Sequence, residues 1–131
     1  MSRLPINRPM TPATDLSLKA FENVDIVLFE LYQACLAEGA IVSRTFTGCR
    51  LTGPAIVLAA GGTSFEECNF CDPRGEMRNL LLQPMGAKAL GTVPMHGCTF
   101  LGCEFYNVGF TGSPELLNEL AAVPSIADPG A

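Results

Sequence analysis

Large apolar residues recur at intervals of five through the middle of the chain. Phe46, Leu51 and Ile56 share this spacing, as do Phe65 and Phe70, and again Met95, Phe100, Phe105 and Phe110. Two positions before most of them stands a small or apolar residue. The resulting triplets are Cys49-Arg50-Leu51, Cys68-Asn69-Phe70, Cys98-Thr99-Phe100, Cys103-Glu104-Phe105 and Val108-Gly109-Phe110. The middle residue is polar or glycine each time. An α-helix cannot use this spacing, because five residues turn it through about 500° and scatter the apolar positions over all faces. A strand can, because residues two apart share a face. The outer two residues of each triplet are expected to point inward and the middle one, Thr99 or Glu104 for example, to point to solvent. The two residues between triplets must turn a corner. Gly48, Gly53, Gly97, Gly102 and Gly112 fall at or beside such corners, where freedom from a Cβ helps. Short strands joined by repeated corners predict a solenoid in which each coil pairs with the next.

The flanks follow other rules. Over 113–123 the pattern predicts a helix: Ser113 is a good N-cap, Pro114 suits the first helical position and Glu115 complements the dipole. Leu116, Leu117 and Leu120 form its apolar stripe, and Pro124 closes it. Residues 24–38 support two readings. Asp25 caps a helix ending at Gly39 in one; in the other, favoured by the β-rich run from Val24 to Phe29, a strand over 24–31 precedes a turn or short helical piece. Residues 1–20, with Pro5, Pro9 and Pro12, read as a flexible arm, and 124–131 as a tail. Residues 71–94 break the period. They read as inserted loops with strands near 79–82 and 91–95, opened by the turn chemistry of Cys71-Asp72-Pro73-Arg74-Gly75. The domain body is thus 21–112.

On these triplets the chain resembles the pentapeptide-repeat proteins, whose units place a small residue two positions before a central Leu or Phe. The match runs over 46–56, 65–70 and 95–110. Cys replaces the usual Ala at four of the five triplets, and Asn69 alone supplies the Asp or Asn common before the central residue. The resemblance implies a mainly β fold: a short right-handed parallel β-helix of roughly four rungs with a C-terminal capping helix. Some members of that family resemble duplex DNA and bind topoisomerases. That activity needs acidic faces along the repeat, and the charge distribution argues against extending it here. Residues 1–40 carry three basic and five acidic side chains, residues 41–112 five of each, and residues 113–131 three acidic ones. The net charge of −5 therefore belongs to the two ends.

Composition narrows the classes further. Nearly half of the 131 residues are apolar and only 16% are charged, which suits a buried core and not a disordered chain. The run over 24–37 is interrupted by Asp25, Glu30 and Gln33, too polar to predict a membrane span. Positions 1–15 lack the continuous apolar stretch of a secretory signal, which predicts a cytoplasmic protein with reduced thiols. No basic stripe points to nucleic acid.

Candidate chemistry was sought in each cluster. Cys68, Cys71, His96 and Cys98 are zinc-ligand types, but Cys49, Cys68, Cys98 and Cys103 share the inward phase, where thiols act as small hydrophobes. Cys71 with His96, the only histidine, has the residue types for nucleophilic catalysis but no linking spacing. Glu66 and Glu67 are adjacent in a predicted strand and would face opposite ways, unlike a paired-acid site. The run Ala59-Ala60-Gly61-Gly62-Thr63 lacks the Lys-Ser/Thr ending of a phosphate loop and reads as a corner. No catalytic residue, metal ligand or cofactor is assigned. Two functions remain. The first is a non-enzymatic interaction or structural module, self-associating as a homodimer or binding another protein, with no nucleic-acid or membrane partner. The second is a small enzyme or ligand-binding protein with a pocket in the 71–94 insertion, where Arg74, Glu76, Arg78 and Lys88 would be the polar groups.

Overall fold

The computed structural model describes residues 6–70, 81–82 and 91–121. Within them the strands are β1 (Ala20–Glu22), β2 (Asp25–Val27), β3 (Ile41–Val42), β4 (Thr45–Thr47), β5 (Arg50–Ala60), β6 (Ser64–Glu66), β7 (Val93–His96), β8 (Thr99–Leu101) and β9 (Glu104–Gly112). Helix α1 (Leu28–Ala34) follows β2 directly and leads into a 3₁₀ turn at Leu36–Glu38; α2 (Pro114–Ala121) follows β9. One sheet has the order β1-β4-β8-β6; the other has β2-β5-β7-β3, with β9 also paired to β5. Each of these strand pairs is parallel. The protein is mainly β, with parallel sheets and a C-terminal helix.

The period of five explains the pairing. Phe21, Phe46, Phe100 and Phe65 stand in register across the first sheet, and Ile26, Leu51 and Phe105 across the second. The four phenylalanines of the first sheet stack nearly flat, at ring-centroid distances of 5.4, 4.7 and 5.1 Å. Phe105 and Phe70 form a second stack at 5.5 Å, and Phe110 meets both rings edge-on. Offset stacks and edge contacts of this kind add about 0.5–1.5 kcal/mol per pair beyond simple burial.

The corners obey a rule stricter than glycine placement. Asn23, Ser43, Gly48, Glu67, Gly97, Gly102 and Asn107 all adopt a left-handed backbone, with φ between 53° and 64°. Each immediately precedes the first residue of a triplet. Two of the triplets, Val24-Asp25-Ile26 and Arg44-Thr45-Phe46, are not among the five read from the sequence: the first lies in the run read as one strand, and in the second Arg44 fills a small-residue slot. At Gly48 a Cβ would lie 2.4 Å from Asn23 Oδ1, so a larger residue would have to move the Asn23 side chain as well as adopt the left-handed angle.

Several expectations need correction. Ile56 does not point inward; it is 37% exposed. Pairing between β5 and β9 shifts between Thr52 and Ala55, which resets the phase so that Val57 and Ala59 are buried instead. Residues 24–31 are not one strand. The β pattern ends at Val27, and Leu28, Leu31 and Cys35 turn inward at helical spacing. Glu104 does not point to solvent: it is 0% exposed. The strand order also departs from a simple solenoid, in which each coil pairs with its predecessor. Here β8 lies between β4 and β6.

The helix expected over 113–123 is found at Pro114–Ala121, with Leu116 N–H donating to Ser113 Oγ at 3.2 Å. Leu120 is buried, and Leu116 packs on the core over Gly112. Of the strand expected near 79–82, Leu81 forms a parallel bridge to Phe110. That expected over 91–95 is β7. Positions 1–5, 71–80, 83–90 and 122–131 lie outside the described residues. Among the described residues no helix is long and apolar enough to cross a membrane.

Candidate functional site

The cysteines in the inward phase form a regular ladder. Each thiol lies near a main-chain carbonyl of a neighbouring strand segment: Cys49 Sγ to Phe21 O at 3.5 Å, Cys103 to Phe46 O at 3.3 Å, Cys68 to Phe100 O at 3.5 Å and Cys98 to Ile41 O at 3.3 Å. The thiol donates in each case, which gives Cys a contact that Ala in the same slot lacks. All four are buried. The hydrogen bond to Cys103 and then burial push the Cys49 thiol up. For Cys103 the bond to Cys49 pulls down, but the bond to Cys68 and burial outweigh it and push the thiol up to about 12. Burial raises Cys98 as well. A thiol held protonated and covered is neither a nucleophile nor a ready metal ligand.

The sequence candidates are not brought together. His96 is exposed while Cys98 is buried beyond the Gly97 corner. Cys71, Arg74, Glu76, Arg78 and Lys88 lie outside the described residues. Among the described residues no group of three or more His, Cys, Asp or Glu is placed to hold a metal. Glu66 and Glu67 are both exposed, and Glu67 sits at a left-handed corner and not within the strand, so strand alternation does not govern the pair. The 59–63 run turns the corner between β5 and β6, where Thr63 Oγ1 donates to Ala60 O at 2.7 Å. An open groove of about 490 Å³ is lined by Pro54, Ala55, Ile56, Asn107, Val108 and Gly109, and reaches the 71–94 insertion at Gly91.

The densest polar constellation was not singled out by the sequence. Asp25, Arg50 and Glu104 are the middle residues of three triplets, and parallel register sets them side by side across β2, β5 and β9. Arg50 Nε donates to Asp25 Oδ1 at 2.6 Å, and its Nη2 to Oδ2 at 3.1 Å. Residues 6–13 of the arm lie across this row. Ile6 N–H donates to Glu104 Oε2 at 2.5 Å, and Arg8 Nη1 to both oxygens of Asp25 at 3.3 Å. Arg8 Nη2 donates to Gly48 O at 3.2 Å. Arg50 Nη2 in return donates to the carbonyls of Arg8 and Pro9 at 3.1 Å each. Thr11 N–H donates to Asp25 Oδ2 at 2.5 Å, and main-chain bonds join Thr11 and Ala13 to Asp25. Tyr106 Oη donates to Glu104 Oε1 at 2.5 Å. Partial burial raises the Asp25 carboxyl, but Arg50, the Thr11 amide and Arg8 outweigh it and hold it below the usual range. In the sequence the only signal was that Arg50 and Glu104 are charged middle residues of recognised triplets.

Arg44 is a second unforeseen feature. It occupies the small-residue slot of its triplet, is 4% exposed, and reaches the end of α1. Its guanidinium donates to Val42 O and to Cys35 Sγ, the latter at 3.5 Å, and lies 3.7 Å from Glu38. A cation there complements the helix C-terminus.

No protein-family model, no curated protein and no solved structure matches the chain.

Proposed function

We propose that this chain is a non-enzymatic protein-interaction module, built on a small right-handed parallel β-helix of the pentapeptide-repeat kind, and that it self-associates. The observation that carries the proposal is an apolar surface at the end formed by β2 and α1. Phe29 and Leu36 are 58% and 59% exposed there, beside exposed Val27. β1 and β2 are the outer strands of their sheets, and Pro12 of the arm bridges Asp25 at the start of β2. Large exposed side chains next to a strand edge favour a second surface that covers them, and a two-fold dimer places the same patch on both sides of an interface. The parallel register, the stacked phenylalanines and the repeated corners support the β-helix reading. Cys35, Cys49, Cys98 and Cys103 form no disulfide, which suits a reducing, cytoplasmic setting.

The test is light scattering across a concentration series. The expected result is a dimer that the double variant Phe29→Asp, Leu36→Asp converts to monomer without changing the circular dichroism spectrum. A strict monomer at the highest soluble concentration overturns self-association. The second reading, a ligand-binding protein, draws on the groove that touches Gly91.

A further inference from the structure

The arm's contacts with the body are mostly those of a bound peptide. Its main-chain N–H groups at Ile6 and Thr11 are taken by the Glu104 and Asp25 carboxylates. Consecutive carbonyls, of Arg8 and Pro9, are taken by one nitrogen of Arg50. Asp25 N–H donates to Thr11 O at 2.7 Å and Ala13 N–H to Asp25 O at 3.0 Å, which makes Pro12 a parallel bridge partner of Asp25. This is strand addition of the kind that extended peptides make on a sheet edge. One side chain adds selectivity: the Arg8 guanidinium lies between the Asp25 carboxylate and Gly48 O. The following proline has no N–H to leave unsatisfied and its φ is fixed, so both carbonyls are presented at little entropic cost.

We propose that the row Asp25, Arg50 and Glu104 is a docking site for an extended segment of another protein carrying an Arg-Pro pair, and that residues 6–13 occupy it in cis. The recognising groups on the body are the Asp25 carboxylate and main chain, the Arg50 guanidinium, the Glu104 carboxylate oriented by Tyr106, and Gly48 O. The body supplies two carboxylates and one guanidinium, which favours a basic over an acidic segment. A tethered occupant acts at an effective concentration of about millimolar. The site therefore accepts an outside segment only when the arm is weakened or the competitor binds more tightly. This site shares β2 with the apolar surface but none of its exposed side chains, and its test reads peptide binding where the other reads oligomeric state.

The test uses the full chain and, as probe, a fluorescent peptide of residues 6–14 with an acetylated N-terminus, which restores the amide at Ile6. Arg8 belongs to the occupant and not to the site, so R8A weakens the arm and leaves the body intact. Anisotropy titration is expected to show R8A binding the peptide at least about tenfold more tightly than the unaltered chain. The same peptide carrying Arg8→Glu is expected to bind R8A at least about tenfold more weakly, which tests the site without a second change to the protein. Equal affinity of R8A and the unaltered chain, with matching circular dichroism spectra, overturns the proposal. So does equal binding of the two peptides to R8A.

Discussion

The phenylalanine interior and the charged row under the arm are made from the same kind of triplet, read from opposite faces. Inward positions are filled by side chains that need only be large and apolar, and the next strand supplies an equivalent partner at each step. Phe21, Phe46, Phe100 and Phe65 each solve the same packing problem. The middle positions have no such internal solution. Asp25, Arg50 and Glu104 are satisfied only because each differs in charge from its neighbour and because an arm distant in sequence crosses them. A repeat can therefore specify its interior by period alone, whereas its outer surface is specified residue by residue.

The largest test of this contrast is Phe100→Ala. Phe100 lies between Phe46 and Phe65 in one stack and touches Phe105 edge-on. Its loss is expected to cost about 3–5 kcal/mol in urea unfolding, from lost burial plus the cavity left behind. A cost below that of a surface change would show that the stacks do not carry the interior. Glu104→Ala comes next. An outward strand residue would ordinarily change stability by no more than about 0.5 kcal/mol, yet this carboxylate is buried and takes bonds from Ile6 N–H and Tyr106 Oη. Removing it takes away the acceptor of both bonds, at an expected cost of about 1–3 kcal/mol. A smaller loss would mean that the arm does not hold that position in solution. The smallest effect belongs to the thiol ladder. Cys103→Ala should cost about 1 kcal/mol, since a small hydrophobe is removed and little space opens. In the unaltered protein Cys49, Cys68, Cys98 and Cys103 should react slowly with a thiol reagent, and rapid labelling would contradict their covered, protonated state.

How much of this was legible in the sequence follows from the same contrast. The inward phase could be read at Leu51, Phe100, Phe105 and Phe110 because spacing alone decides it. It failed at Ile56, where a pairing shift one turn earlier resets the phase without a change in residue type. It missed Val24-Asp25-Ile26, which lies in the run read as one strand, and Arg44-Thr45-Phe46, where an arginine took a small-residue slot. The run from Val24 to Phe29 carries β-forming side chains, but from Leu28 onward the helix won because it buries Leu28 and Leu31 together. The charged row was illegible for a different reason. Its residues were visible, but its cover comes from residues 6–13, which have no period and no apolar pattern to announce a contact with positions 25, 50 and 104.

The strand order carries a consequence for biosynthesis. β4, β6 and β8 present the same local offer, Thr45-Phe46-Thr47, Ser64-Phe65-Glu66 and Thr99-Phe100-Leu101, and nothing in these three-residue segments says which belongs beside which. A ribosome delivers β6 well before β8, while the finished sheet requires β8 between β4 and β6. The nascent chain therefore passes through a stage in which two compatible strands are available to each other and the proper occupant of the gap has not yet been made. Pairing at that stage has to be delayed or undone, and long-range closure of this kind is slow. This sheet is completed from its middle, by a strand that leaves the ribosome after both of its neighbours.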